Sequence, residues 1–298
     1  MTKIEIIDDP KKGILFALGF IITVPFIEAS VKLLGDVMAP PQIALTRFLI
    51  HIIVLSVYIY LYIPREDWIA KPSWPLILRG VLASLGTICV YAGLALLPLV
   101  DAVAIFFLTP IIITALSAIV LREKVGIFRW SAVFAGMIGA LLVIGPNFDS
   151  VGWGAVFPAL AALFHGTATL ITRKWANIAR LPVFQYYIAV TAVIIMAFII
   201  LTGELFGYDS VTLVTPNDFQ WFLLGVIAIG SIATNLFLTQ AFRIAPSSVI
   251  APFLYLQIIG STIMGFVVFA DLPGNQTLFG AFLVISAGLV IWWREKSN

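Results

Sequence analysis

Ten stretches of about 20 mostly apolar residues run through this chain of 298 residues, each long enough to carry a helix across about 30 Å of hydrocarbon. They fall roughly at 13–34, 42–62, 76–97, 102–121, 128–145, 152–172, 183–202, 219–241, 247–269 and 277–293. Turn chemistry separates them at Ala39-Pro40-Pro41, Pro64, Lys71-Pro72-Ser73, Gly145-Pro146-Asn147, Leu181-Pro182 and Leu272-Pro273-Gly274-Asn275. The apolar runs are continuous rather than alternating, so helices are expected and a barrel is not. Composition agrees, because 61% of the residues are apolar and only 11% are charged, and a soluble fold cannot cover that much apolar surface. A soluble enzyme, a disordered chain and a nucleic-acid binder are therefore excluded. Cys89 is the single cysteine, which leaves no disulfide framework and no cysteine-rich metal site. No cofactor is expected. The first stretch carries Glu28 and Lys32 and lacks a small-residue cleavage site, so it reads as a retained membrane helix rather than a secretory signal.

Positive charge sets the expected orientation. With the N-terminus in the cytoplasm, 15 of the 17 basic residues face inward: Lys3, Lys11, Lys12, Arg65, Lys71, Arg79, Arg122, Lys124, Arg129, Arg173, Lys174, Arg180, Arg243, Arg294 and Lys296. Lys32 and Arg47 lie within or at the outer ends of spans, while Asp36, Asp149, Glu204, Asp209, Asp218 and Asp271 fall in the external loops. Both termini are thus expected in the cytoplasm.

The two halves resemble each other. An offset of 141 lays Gly13 on Gly154, Phe16 on Phe157, Lys32 on Arg173 and Pro41 on Pro182. An offset of 146 lays Ala95 on Ala241, Val103 on Val249, Phe107 on Phe253 and Leu108 on Leu254, and near the ends Gly139 meets Gly288. A unit of five spans, repeated, must reverse its direction across the membrane. The expected fold is all-α and integral to the membrane, with ten helices as two inverted five-helix repeats, 1–148 and 149–298. Many secondary transporters are built this way, with a site near mid-membrane and alternating access.

Three stretches carry a family resemblance. The first is Phe26-Ile27-Glu28-Ala29-Ser30-Val31-Lys32-Leu33-Leu34, followed by Pro41-Gln42 and Thr46-Arg47-Phe48. The second runs from Asp101-Ala102-Val103-Ala104 through Pro110 to Leu121-Arg122-Glu123-Lys124. The third is Ala251-Pro252-Phe253-Leu254-Tyr255-Leu256-Gln257, then Asp271-Leu272-Pro273, and Gly288 before Trp292-Trp293-Arg294-Glu295. With these the chain resembles the drug/metabolite transporter superfamily, EamA-type ten-helix members, over essentially its whole length. It departs in placing Asp271 where many relatives have glutamate, and in lacking the tryptophan-glycine pair common in the first helix. The resemblance implies transport of a small organic metabolite, such as an amino acid, a quaternary amine, or nucleoside-like or vitamin cargo, across the bacterial cytoplasmic (inner) membrane.

Ionisable groups inside a bilayer are costly, so each needs a partner or a task. Glu28 and Lys32 share one helix face and Arg47 and His51 repeat the four-residue spacing on the next. Two readings of Glu28 stand. In one it is a structural ion pair with Arg47 or Lys32. In the other it contacts a cationic or zwitterionic substrate or carries a coupling proton, with Arg47 neutralising it when cargo is absent. Lys32 and its mirror image Arg173 read as snorkelling helix-end cations. His165 has Gly166, Thr167 and Thr169 beside it. Pro252 frees backbone groups near Tyr255 and Gln257, and Pro110 holds the matching place in the first repeat, beside Phe107; mirrored breaks suit hinged opening. Tyr91, Phe107 and Tyr255 are aromatic candidates for a cation or flat ring. The expected substrate site is Glu28, Tyr91, Phe107, His165, Tyr255 and Gln257, with Glu28, Lys32 and Arg47 coupling charge.

The rival class is an intramembrane enzyme acting on a lipid-soluble substrate. No HExxH pair, G-x-S-x-G elbow or P-loop is present. The expected partners are the small-molecule substrate, the bilayer and a coupling proton or exchanged metabolite. Nucleic acid is not among them, and an oligomer is not required.

Overall fold

The computed structural model describes residues 8–35, 37–96, 105–144, 152–208 and 212–269, with 279–280, 282–283, 285–287 and 289. Every regular element among these residues is helical. In chain order they are α1 (Pro10–Gly35), α2 (Pro40–Tyr62), α3 (Trp74–Leu96), α4 (Thr109–Val120), α5 (Ile127–Ile144), α6 (Val156–Lys174), α7 (Leu181–Leu205) and α8 (Asp218–Ile244). The ninth span, α9, is composite: α-helix over Ser247–Ile250, 3-10 helix over Ala251–Leu256, and α-helix again over Gln257–Phe269. Helical residues recur between 279 and 289, inside the tenth expected span; the rest of that span lies outside the described residues. Six helical stretches are individually long and apolar enough to cross a bilayer, namely Pro10–Gly35, Pro40–Tyr62, Gly152–Lys174, Leu181–Leu205, Asp218–Ile244 and Ser247–Val268. Shorter apolar helices fill the intervals. The chain is an all-α membrane protein.

Local chemistry sets the helix ends. Proline stands in the first turn of α2, α4 and α7, where the missing N–H has no helical acceptor to lose. Asn217 and Gln220 cap α8 reciprocally at 2.9 Å in each direction. After α4, Arg122 takes a left-handed φ of 55°, folding the Glu123 N–H back to the Ser117 carbonyl at 3.2 Å. That turn aims the Glu123 side chain at the start of α9.

The helices pair in a pattern that maps onto itself when the two halves are exchanged. The most extensive packing joins α1 to α8 and α3 to α6, which are images of each other. Likewise α3 on α7 mirrors α2 on α8, α4 on α6 mirrors α1 on α9, and α2 on α7 mirrors itself. In lipid the hydrophobic effect does not drive helices together, so close approach through small residues must. The two mirrored pairs both use it. A Cβ on Gly86 of α3 would stand 2.7 Å from the His165 ring of α6, and one on Gly93 would stand 2.9 Å from Pro158. In the other pair Gly19 of α1 lies against the Phe237 ring of α8, and Thr234 donates to Thr23 at 2.9 Å.

The chain links 8–9, 63–73, 121–126, 175–180 and 245–246 gather at one end of the bundle. Asp9 N–H donates to the Ile244 carbonyl at 2.6 Å, and Arg180 pairs with Asp67 at 2.7 Å. This end is called the basic end below, and the opposite one the far end.

Candidate functional site

Proline, glycine and helical spacing together build the first polar cluster. Pro25 interrupts the hydrogen-bond ladder of α1, and Gly260 of α9 lies against it so closely that a Cβ there would stand 2.6 Å from Pro25 Cγ. With α9 drawn in at this point, Gln257 and Ser261, four residues apart on one face, both reach Glu28. Gln257 Nε2 donates to Glu28 Oε1 at 2.9 Å and Ser261 Oγ donates to Oε2 at 2.6 Å. Each carboxylate oxygen is thus held by a neutral donor from the second half of the chain.

Glu28 does not face lipid. The exposed apolar stripe of α1 is Leu15, Leu18, Ile22, Phe26 and Leu33, and at about 100° per residue Glu28 projects roughly 130° away from its mean direction. Its carboxylate stays exposed although it is held between α1 and α9. His165 and Arg79 are partly accessible. From the helix starts, Glu28 lies roughly 27 Å from the basic end, His165 roughly 14 Å from the far end and Arg79 roughly 8 Å from the basic end. Arg47, about 10 Å along α2 from the far end, rests its guanidinium 4.6 Å from the Phe48 ring centroid. The His165 ring meets Phe106 edge-on at 5.7 Å.

The expected site residues therefore divide. Glu28 and Gln257 are in contact, and His165 lies deeper along the same interior. Tyr255 and Phe107 are core instead: Tyr255 is fully buried, its hydroxyl donates to the Phe107 carbonyl at 3.1 Å, and its ring fills the place a Gly136 side chain would take. The Tyr91 side chain lies outside the described residues. Lys32 sits in the last turn of α1, as expected of a helix-end cation. Its mirror image Arg173 is likewise in the last turn of its helix, α6, but is engaged there by other segments of the chain. Arg173 donates to both Asp8 oxygens at 2.8 and 2.7 Å, approaches Glu123 at 3.5 Å and donates to the Arg243 carbonyl at 3.0 Å. It is a cross-link between chain segments because acids from two of them converge on it.

Residues that the sequence reading left out of the expected site complete the basic end. The Glu123 oxygens accept from the Ser247 and Ser248 amides at 3.1 and 3.2 Å, capping the start of α9. Beside this network is a cleft of about 310 Å³ lined by Asp8, Glu123, Arg173, Lys174, Asn177 and Arg243. One layer further in, Arg79 donates to the hydroxyls of Thr172 and Thr239, and Gln185 donates to Thr239 and to the Asn235 carbonyl. Counting Arg79 and Arg243 as loop-end charges hid them. The signal for Arg79 is that it interrupts an apolar helical run rather than following it; Arg243 is in the last turn of α8 and carries no such signal. Ser261 was legible as the same-face partner of Gln257.

Both mirrored spans are broken near proline. Leu108 N–H bonds back to the Ile105 carbonyl, three residues earlier, just before Thr109-Pro110, and α9 runs as 3-10 helix from Ala251 to Leu256 around Pro252. Such breaks in a span are where bending concentrates.

The fold is that of a polytopic helical bundle with polar side chains meeting between its halves. Residues 11–145 match the model of the EamA-like transporter family. The riboflavin transporter of Rhizobium johnstonii is 31% identical over 222 residues, covering 74% of this chain and 71% of that protein. The S-adenosylmethionine uptake transporter of Rickettsia prowazekii is 26% identical over 286 residues, 96% of this chain and 94% of that one. A crystal structure shares the fold with a TM-score of 0.78 at 17% identity, covering 96% of this chain and 98% of that one. The chain belongs to the EamA-like transporter family. It is a small-molecule transporter of the membrane, and the intramembrane-enzyme reading is set aside.

Proposed function

We propose that this protein moves a cationic or zwitterionic organic metabolite across the bacterial cytoplasmic membrane, with both termini in the cytoplasm, by alternating access between inverted repeats 1–148 and 149–298. The observation that carries the reading is Glu28, a carboxylate inside the bundle whose two oxygens are held by the neutral donors Gln257 and Ser261. A cation displaces them, because it adds the attraction of a full opposite charge to the hydrogen bond that a neutral donor makes to a carboxylate. A positively charged substrate group or a proton takes their place, and the contact between α1 and α9 loosens as it does so. Arg47 and His165 complete the polar route, and the mirrored helix pairing supports a rocking motion of one half on the other. The names of the relatives suggest the probes, S-adenosylmethionine as a charged sulfonium zwitterion and riboflavin as a neutral heteroaromatic.

The test is counterflow in proteoliposomes. Vesicles preloaded with unlabelled S-adenosylmethionine are expected to accumulate labelled S-adenosylmethionine transiently, and Glu28→Gln is expected to abolish this while folded yield persists. Exchange of riboflavin alone, unaffected by Glu28→Gln, overturns the charge assignment. Flux without exchange overturns the carrier mechanism.

A further inference from the structure

Two buried guanidiniums toward the basic end share one aromatic ring and have no acid to pair with. Arg79 of α3 and Arg243 of α8 stand 5.3 and 5.6 Å from the Phe184 ring centroid of α7. Among the described residues Arg79 donates to the hydroxyls of Thr172 and Thr239, and Arg243 to the carbonyls of Ala176 and Ala179 at 2.6 to 3.0 Å. The acids nearby are engaged elsewhere among the described residues: Asp8 and Glu123 with Arg173, Asp67 with Arg180.

Holding the carbonyls after α6 is a structural use for Arg243, but carbonyl dipoles do not cancel a full charge. Two like charges on one ring, largely out of water, are costly without a counter-ion. The surrounding groups do not reduce the excess of donors. The Thr239 hydroxyl accepts from both Arg79 and Gln185, so its own proton is left to donate. Arg79 keeps accessible surface despite its depth, and a ligand in the interior route can therefore touch it.

We infer that Arg79, Arg243 and Thr239 form an oxyanion-binding subsite on the basic-end half of the transport route, which receives the carboxylate or phosphate of the cargo. The subsite rests on the proposed carrier function and adds a second polarity to it. Glu28 and Arg79 are separated by roughly 20 Å along the bundle, too far for one small metabolite to span. Cargo meets the carboxylate and the arginines at different stages of its passage, its cationic group at the first and its anionic group at the second.

The experiment titrates inorganic phosphate, at constant ionic strength, against the purified full-length protein in detergent and follows thermal stability. A saturable rise in Tm is expected for the wild type and for the surface control Lys71→Gln, and its loss is expected in Arg79→Gln. Arg79→Lys keeps the charge without the planar fork and is expected to weaken the half-saturation point about tenfold. No saturable rise in the wild type overturns the inference, as does a rise that Arg79→Gln and Arg79→Lys leave unchanged. A response to phosphatidylglycerol nanodiscs but not to phosphate assigns the arginines to lipid headgroups and also overturns it. Glu28→Gln is expected to retain the phosphate response, so failure of the carrier reading shows in counterflow and failure of this subsite shows in the titration.

Discussion

In the far half of the bundle Glu28 joins α1 to α9 through a side-chain amide and a hydroxyl. At the basic end Glu123 joins the turn after α4 to the start of the same α9, through two backbone amides and the Arg173 guanidinium. Both carboxylates bridge the first half of the chain to the second. The Glu123 carboxylate caps a helix start and is balanced by a cation, so it holds a joint closed. The Glu28 carboxylate has neutral hydrogen-bond partners and accessible surface, so a visiting cation has something to gain there. The comparison teaches that the charge balance around a buried acid, more than its burial, separates a binding group from a latch.

The largest expected effect is on Glu28. Its replacement by glutamine is expected to cut S-adenosylmethionine exchange by at least about tenfold, equivalent to about 1.4 kcal/mol, in the counterflow assay. An unchanged rate would make the two carboxylates equivalent. A wedge at the helix crossing is next. Gly260→Ala places a Cβ 2.6 Å from Pro25, pushing Gln257 and Ser261 away from Glu28, and is expected to lower exchange several-fold and stability by about 1–3 kcal/mol, read by transport and thermal melting together. Loosening the other joint sharpens the contrast. In a Cys89→Ser background, a cysteine placed at Asn177, in the cleft beside the latch, is expected to react with a water-soluble maleimide several-fold faster when Glu123→Gln is added. No acceleration would show that Glu123 does not restrain the basic end. Tyr255→Phe is the smallest. It removes one hydrogen bond, to the Phe107 carbonyl, and is expected to cost about 1 kcal/mol of stability with transport nearly unchanged. A loss of exchange comparable to that of Glu28→Gln would return Tyr255 to the binding site.

How legible the site was depended on what kind of statement each residue required. Glu28, Arg47 and His165 are legible as candidates because an ionisable or polar side chain stands out against an apolar helical run. The Glu28–Gln257 contact is not, because it links positions 229 residues apart and depends on Gly260 meeting Pro25. Tyr255 was assigned by its polarity and aromaticity, yet burial against Gly136 gives it a packing role. Arg173 was assigned by its place at a helix end, and the convergence of Asp8 and Glu123 turned it into a cross-link.

Apolar runs and turn residues are properties of the chain read in order, and they suffice to specify a helical membrane protein. Hydrocarbon allows a spanning segment few ways to satisfy its backbone, so a local pattern is decisive there. Which acid meets which cation is a different matter. It is decided where helices distant in sequence cross, at distances set by a missing side chain or a broken turn, and only the assembled bundle contains that information.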